Sequence, residues 1–282
     1  MLRTWRLGFF GLLMTVMLIC SCAAPGQVSV NNPQGNRVNY PLLFEPSTSR
    51  QEEVQEAWKS FLAELSLPFA KLDLEQVLNT PRSLPPELAG RIKVTKKIGV
   101  FGEMEAKEAL RGFIERTRGI LCGDPKNNPL SVKDLSLVSF TNGGDFYRFV
   151  YQQMTYSFPI ADGYGELRLT VDKKANLLQW SSRIIPKFDL PNNPSIRSGE
   201  IVEKLINREF TYTTIAGRPQ TYKVTKPEEI VIRELVVYPR EKDNNLTIHL
   251  AYPVEVGSGM TWTVYFDAIN GEKLGEKQNF AS

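Results

Sequence analysis

One pattern that occurs twice constrains this chain more than any other feature. The run Glu166-Leu167-Arg168-Leu169-Thr170-Val171-Asp172 alternates apolar and polar residues, ends on an aspartate and enters a turn at Lys173–Asn176. The run Thr261-Trp262-Thr263-Val264-Tyr265-Phe266-Asp267 does the same and turns at Asn270-Gly271. Alternation of period two belongs to a strand with one packed and one wet face, and Asn-Gly is a strong hairpin signal. Each copy sits in a larger unit. A helix over Glu103–Arg118, apolar at Ala106, Ala109, Leu110, Phe113 and Ile114, precedes strands at Val132–Phe140, Phe146–Tyr156, Tyr164–Val171 and Leu177–Ile184. A helix capped by Ser198, carrying Ile201, Val202, Leu205, Ile206 and Phe210, precedes strands at Glu229–Tyr238, Leu246–Val256, Thr261–Phe266 and Glu272–Lys277. The fold class is therefore α+β: two units, each one helix packed on a four-stranded antiparallel sheet.

Upstream of the units, Ser49-Arg50-Gln51-Glu52 has the form of a capping box, and Val54, Ala57, Trp58, Phe61, Leu62 and Leu65 follow at helical spacing. This N-terminal helix ends before Pro68. The stretch to Arg91, with Pro81, Pro85 and Pro86, reads as an irregular connection containing a short helix near Leu72–Leu78.

The first 22 residues combine a basic start (Arg3, Arg6), an apolar run from Leu7 to Ile19 and small residues, the pattern of an export signal. Ile19-Cys20-Ser21-Cys22-Ala23 resembles the bacterial lipobox, which makes Cys22 the lipidated first residue of the mature chain and the expected anchor in the envelope, facing outside the cytoplasm. Ala23 is permissive for outer-membrane sorting in a two-membrane cell. Several acyl chains on one terminus give stable anchoring. Residues 23–48, rich in Asn, Pro, Gly, Ser and Gln, read as a flexible tether, with docking of Leu42–Phe44 as an edge strand left open. The expected organisation is signal 1–21, tether 22–48, helix and irregular connection 49–95, and α+β units at 96–190 and 191–282. Cys20 leaves with the signal and Cys22 takes lipid, so Cys122 is the one remaining thiol and is expected to be buried.

With these residues in view, the second unit resembles the PepSY domain and the first the fungalysin/thermolysin propeptide domain, the tandem found in the propeptides of thermolysin-like metalloproteases. In the first unit the resemblance rests on Tyr147-Arg148-Phe149, Gln153-Met154-Thr155-Tyr156 and Pro159-Ile160, although Ser157-Phe158 stands where the family has a glycine. In the second it rests on Glu234–Pro239, Leu250-Ala251-Tyr252-Pro253-Val254 and Trp262–Gly271, where Asn270 replaces the usual threonine. It covers Lys96 to Ser282 and implies a cystatin-like curved sheet in each unit. It also implies binding of an extracytoplasmic protein, with restraint or folding of a thermolysin-like protease in trans. The alternative is an envelope-assembly or cell-wall-associated binding lipoprotein without a protease connection.

Enzyme chemistry finds little support. A single histidine, His249, excludes a His-Glu-x-x-His zinc site, which needs two imidazoles one helical turn apart. By alternation His249 falls on the face opposite Leu246, Ile248, Leu250 and Tyr252 and is expected to meet solvent. Asp172 and Asp267 are read as turn-forming residues. Gly257-Ser258-Gly259 is a turn, not a nucleophile elbow, and no phosphate-binding glycine loop is present. With 34 Lys+Arg against 31 Asp+Glu, two of the former in the signal, the charge is too balanced for a nucleic-acid partner. The expectation is a chain without catalytic, cofactor-binding or metal-binding residues, whose functional residue is Cys22. Labelled palmitate should enter the wild-type chain and be lost from Cys22→Ala; equal labelling of the two would remove the lipobox reading.

Overall fold

The computed structural model describes residues 28–31, 37–96, 102–126, 130–154, 156–187, 189–213, 217–257 and 261–279. Cys22 and the signal lie outside them. The chain opens with a hairpin of β1 (Val28–Asn31) and β2 (Arg37–Tyr40), followed by β3 (Leu42–Phe44) and helix α1 (Thr48–Glu64). The helix is capped two residues earlier than its capping-box pattern suggests. Its N-cap is Ser47, whose hydroxyl accepts from Arg50 N at 3.3 Å, while Ser49 is already helical. Val54, Trp58, Phe61 and Leu62 form its buried stripe.

The connection that follows contains no short α-helix at Leu72–Leu78. It holds β4 (Asp73–Leu74) paired to β5 (Pro81–Ser83), then β6 (Ile92–Lys93). The Gln55 side chain takes the place of a strand partner here, donating to Leu72 O at 2.8 Å and accepting from Leu72 N at 3.2 Å. Helix α2 (Glu103–Leu121) ends where Gly123 adopts φ +69°; a Cβ there would lie 1.9 Å from Leu78 O, so only glycine lets the chain turn against that loop.

The first sheet is the expected meander, β7 (Leu135–Asn142), β8 (Phe146–Gln153), β9 (Glu166–Asp172) and β10 (Asn176–Ser182), extended by β6 beyond β10. Both α1 and α2 cover one face, with Trp58, Phe113 and Trp180 at the centre; the Trp58 and Trp180 ring centroids are 5.3 Å apart. Cys122 is buried as expected, 3% exposed, and burial pushes its thiol up to about 11.

The second unit departs further from the pattern. Helix α3 (Ser198–Leu205) stops short of Phe210, because Asn207 turns left-handed at φ 66°. Phe210 then enters a hairpin of β11 (Glu209–Thr213) and β12 (Pro219–Lys223), rich in Thr and Tyr. The first expected strand is split into β13 (Ile230–Ile232) and β14 (Val236–Lys242), both paired to β15 (Asn245–Val256). Strands β16 (Thr261–Asp267) and β17 (Lys273–Asn279) complete the sheet. Trp262, Val264 and Phe266 share the face under α3, with Trp262 surrounded by Phe210, Tyr212 and Tyr222 at centroid distances of 5.1, 5.8 and 5.6 Å. The other face, expected wet, is also covered: Tyr265 stacks on Tyr238 at 4.2 Å, and a Cβ at Gly275 would lie 2.5 Å from the Tyr238 hydroxyl.

The tether expectation is corrected from Tyr40 onward. Leu42, Leu43 and Phe44 pair antiparallel with Ile248, Thr247 and Leu246, so β3 belongs to the second sheet while α1, a few residues on, belongs to the first core. Among the described residues no helix is long and apolar enough to cross a membrane. Truncating a buried aromatic leaves a cavity and costs about 3–5 kcal/mol, whereas one partly buried hydroxyl contributes about 1 kcal/mol. Urea unfolding of Trp262→Ala should therefore show a far larger loss than that of Thr263→Ala, whose hydroxyl meets Asn279 Nδ2 at 3.0 Å; equal losses would mean that the aromatic cluster is not packed as described.

Candidate functional site

Three buried titratable groups, Tyr40, His249 and Asp267, converge where β15 changes neighbours. Residues Ala251–Val256 pair with β16 and Leu246–Ile248 with β3, so His249 and Leu250 lie in the gap between the two partners. Tyr40 fills it. Its hydroxyl accepts from Leu250 N at 3.0 Å and reaches Asp267 Oδ2 at 2.9 Å and Leu250 O at 3.3 Å. Burial, followed by the neighbouring Asp267 charge, holds this phenol well above its ordinary range, so it stays protonated and donates.

Asp267 is fully buried. Its Oδ1 accepts from Ile269 N at 2.7 Å and Asn270 N at 3.1 Å, which is the turn role read from sequence. Its Oδ2 is shared by the Tyr40 hydroxyl and by His249 Nδ1 at 2.7 Å. Asp172, its counterpart in the first unit, serves only its own turn, accepting from Lys174 N, Asn176 N and Asn176 Nδ2.

His249 corrects the expectation of a solvent-facing residue: its side chain is 4% exposed. Tyr238 of β14 lies directly across from it, and the Tyr40 ring meets it edge-on at 6.0 Å. Alternation assigns His249 to the face opposite Leu246, Ile248 and Leu250; it does not reveal that Tyr40 and Asp267 close around that side chain. Its Nε2 lies 2.9 Å from Thr247 Oγ1, which donates on to Arg240 O at 3.3 Å.

Hydroxyl, imidazole and carboxylate thus stand in the order and at the spacing of a nucleophile, a base and its orienting acid. In this structure the three are engaged with one another and with the backbone, the Thr247 hydroxyl donating to Arg240 O. No group of three or more His, Cys, Asp or Glu residues suited to a metal occurs among the described residues. What the cluster does is fasten the N-terminal strand to the second sheet.

The same region joins the units. Pro159–Ala161 runs along β14, with Ala161 N donating to Val237 O and Val237 N to Pro159 O, each at 2.9 Å. Ile160, Tyr164 and Ile185 of the first unit share a core with Tyr40, Val237, Leu246 and Ile248. At the rim, Glu241 accepts from the Tyr164 hydroxyl and from Arg183 at 3.0 Å, and Arg183 lies 3.7 Å over the Tyr164 ring. Asp162 pairs with Lys277 at 3.2 Å. A cleft of about 540 Å³ opens along this rim, but its four carboxylates (Glu75, Asp162, Glu166, Glu241) all have partners within the protein.

Sequence reasoning missed Tyr40 and the double duty of Asp267. The signal available was the apolar run Tyr40–Phe44 inside an otherwise polar segment.

No family model matches this chain, and no curated protein matches it. Among solved structures, the C-terminal domain of YpeB from Bacillus megaterium is similar over 84% of this chain and 100% of that chain, at 13% identity and a TM-score of 0.32.

Removing the Tyr40 hydroxyl leaves Leu250 N without its acceptor and Asp267 Oδ2 without one of its donors, at about 1–3 kcal/mol. Removing the carboxylate leaves several buried donors unpaired and costs about 3–5 kcal/mol. Tyr40→Phe should lower the urea midpoint moderately and Asp267→Ala severely; an Asp267→Ala chain as stable as wild type would show that the cluster fastens nothing.

Proposed function

We propose that the chain is a lipid-anchored, non-enzymatic envelope protein that binds an extracytoplasmic protein through its paired α+β units. In this reading Cys22 holds it at the membrane and the partner is a thermolysin-like protease, restrained or assisted in folding in trans. The observation that supports it most is the commitment of the only imidazole. The group on which hydrolytic or zinc chemistry would depend is buried between Asp267 and Thr247. The strands that carry the propeptide-like and PepSY-like phrases form the two sheets, and the Pro159-Ile160 phrase lies against β14. Cofactor-independent binding by a preformed surface needs only such a pair of rigidly joined units. Fold alone does not fix function, so the protease connection rests on the sequence resemblance.

A binder that acts in trans lacks the effective concentration that covalent linkage supplies and must replace it by affinity or by confinement at one membrane. The chain from Ala23, which retains the Tyr40–Phe44 strand, should slow an exported thermolysin-like protease saturably with a half-point at or below about 1 µM, equivalent to about 8 kcal/mol of binding. Initial rates with a fluorogenic peptide, paired with intact-mass analysis of the chain, measure this. Absence of slowing, or slowing that ends as the chain is digested, favours an envelope-assembly role instead.

A further inference from the structure

Edge strands differ sharply in how they are protected. The outer strands of the second sheet carry charge or proline: Lys273, Glu276 and Lys277 in β17, and Pro239, Arg240, Glu241 and Lys242 in β14. β13 has three residues and β6 two. Such features block pairing with another chain. β7 is the exception. It has eight residues, Leu-Ser-Leu-Val-Ser-Phe-Thr-Asn, without a charge or a proline, and among the described residues nothing pairs with its outer edge. The register shift between Leu137 and Ser139 leaves Val138 58% exposed, and Ser139–Asn142 then pair regularly with β8.

Among the described residues, the charged side chains beside this strand that lie outside ion pairs are mainly cations. Lys133 stands two residues before it, exposed. Arg148 on β8 is in register with Thr141, and Lys173 Nζ reaches the Asn142 side chain at 2.8 Å. None of the three is in an ion pair; Arg148 and Lys173 lie over the rings of Phe146 and Tyr147 at 5.7 and 3.4 Å. The nearby carboxylates are largely engaged. Asp134 caps Ser131 N, Asp172 serves its turn and Glu103 holds Lys107, leaving Asp145 in the β7–β8 turn. The edge therefore offers backbone groups that no described strand pairs, with a cation outside the described ion pairs near each end.

We propose that β7 is a docking edge that takes an extended segment of a partner protein as an added antiparallel or parallel strand, and that this segment is acidic at both ends. Main-chain hydrogen bonds supply affinity in such an augmentation, and the flanking charges select the occupant. The proposal rests on the reading of the chain as a protein-binding module and names the surface that reading lacks.

The test uses the full chain and three fluorescein-labelled ten-residue peptides of alternating Val and Thr: one with Glu at both ends, one with Lys there, and one with Glu at the ends and two central prolines. Fluorescence polarisation should show the Glu peptide binding at least about tenfold more tightly than the other two, a difference of about 1.4 kcal/mol or more. Binding should weaken as salt rises. Lys133→Glu/Arg148→Glu, both exposed and expected to melt like wild type, should lose about tenfold in affinity for the Glu peptide. Bound peptide should also slow hydrogen exchange at amides within Leu135–Asn142. Equal binding of the Glu and Lys peptides, protection at another strand, or no binding of any peptide overturns the proposal. Protease assays with the double variant separate this inference from the broader reading: peptide binding at β7 with no effect on any protease leaves the edge standing, and inhibition undiminished in the variant places the protease surface elsewhere.

Discussion

The carboxylate of Asp267 is the constraint around which the second unit and its attachments are arranged. A buried ionised group is tolerated only when its lone pairs are met, and here four donors meet them: two turn amides, the Tyr40 phenol and the His249 ring. The four donors serve three tasks. The amides close the β16–β17 turn, the phenol brings in a strand more than two hundred residues away, and the imidazole reaches through Thr247 to the backbone of β14. Loss of the carboxylate would therefore be felt in three places at once.

Around this point the two units cease to be independent. Each has an aromatic core of its own, but a third core, built from Tyr40, Ile160, Tyr164, Val237 and Ile248, draws on both units and on the N-terminal strand. The bridge between Ile160 and Val237 adds main-chain hydrogen bonds, and Glu241 and Asp162 place ion pairs at the rim. Exposed pairs of that sort contribute little stability individually. Their contribution here is orientation, since the apolar contacts beneath them are not directional.

Much of this architecture was legible in the residues. Alternation marked β7 to β10 and β15 to β17 within a few residues, and the Trp262, Val264 and Phe266 face is packed as the pattern requires. What was not legible depends on long-range contact. His249 sits on the face that alternation assigns to solvent, and it is buried with Tyr40, distant in sequence, against its ring and Asp267 at its Nδ1. Asp267 satisfies a turn by itself, so nothing local announces its two further partners. Phe210 continued a helical spacing, yet Asn207 breaks the helix and the Thr- and Tyr-rich residues beyond it prefer a hairpin. The N-cap at Ser47 escaped because Ser49 and Glu52 imitate a capping box two residues later.

The separation between Tyr40 and its partners also fixes an order of events. Tyr40 leaves the ribosome early, whereas Leu250 and Asp267 follow 210 and 227 positions later. Contacts of such sequence separation close late and slow the search for the native state. The N-terminal strand must therefore wait, with its apolar residues uncovered, until nearly the whole chain has emerged. A copy truncated before β16 lacks Asp267, seats Tyr40 incompletely and leaves that strand open to proteolysis, so the fold distinguishes finished molecules from unfinished ones at the end that is made first.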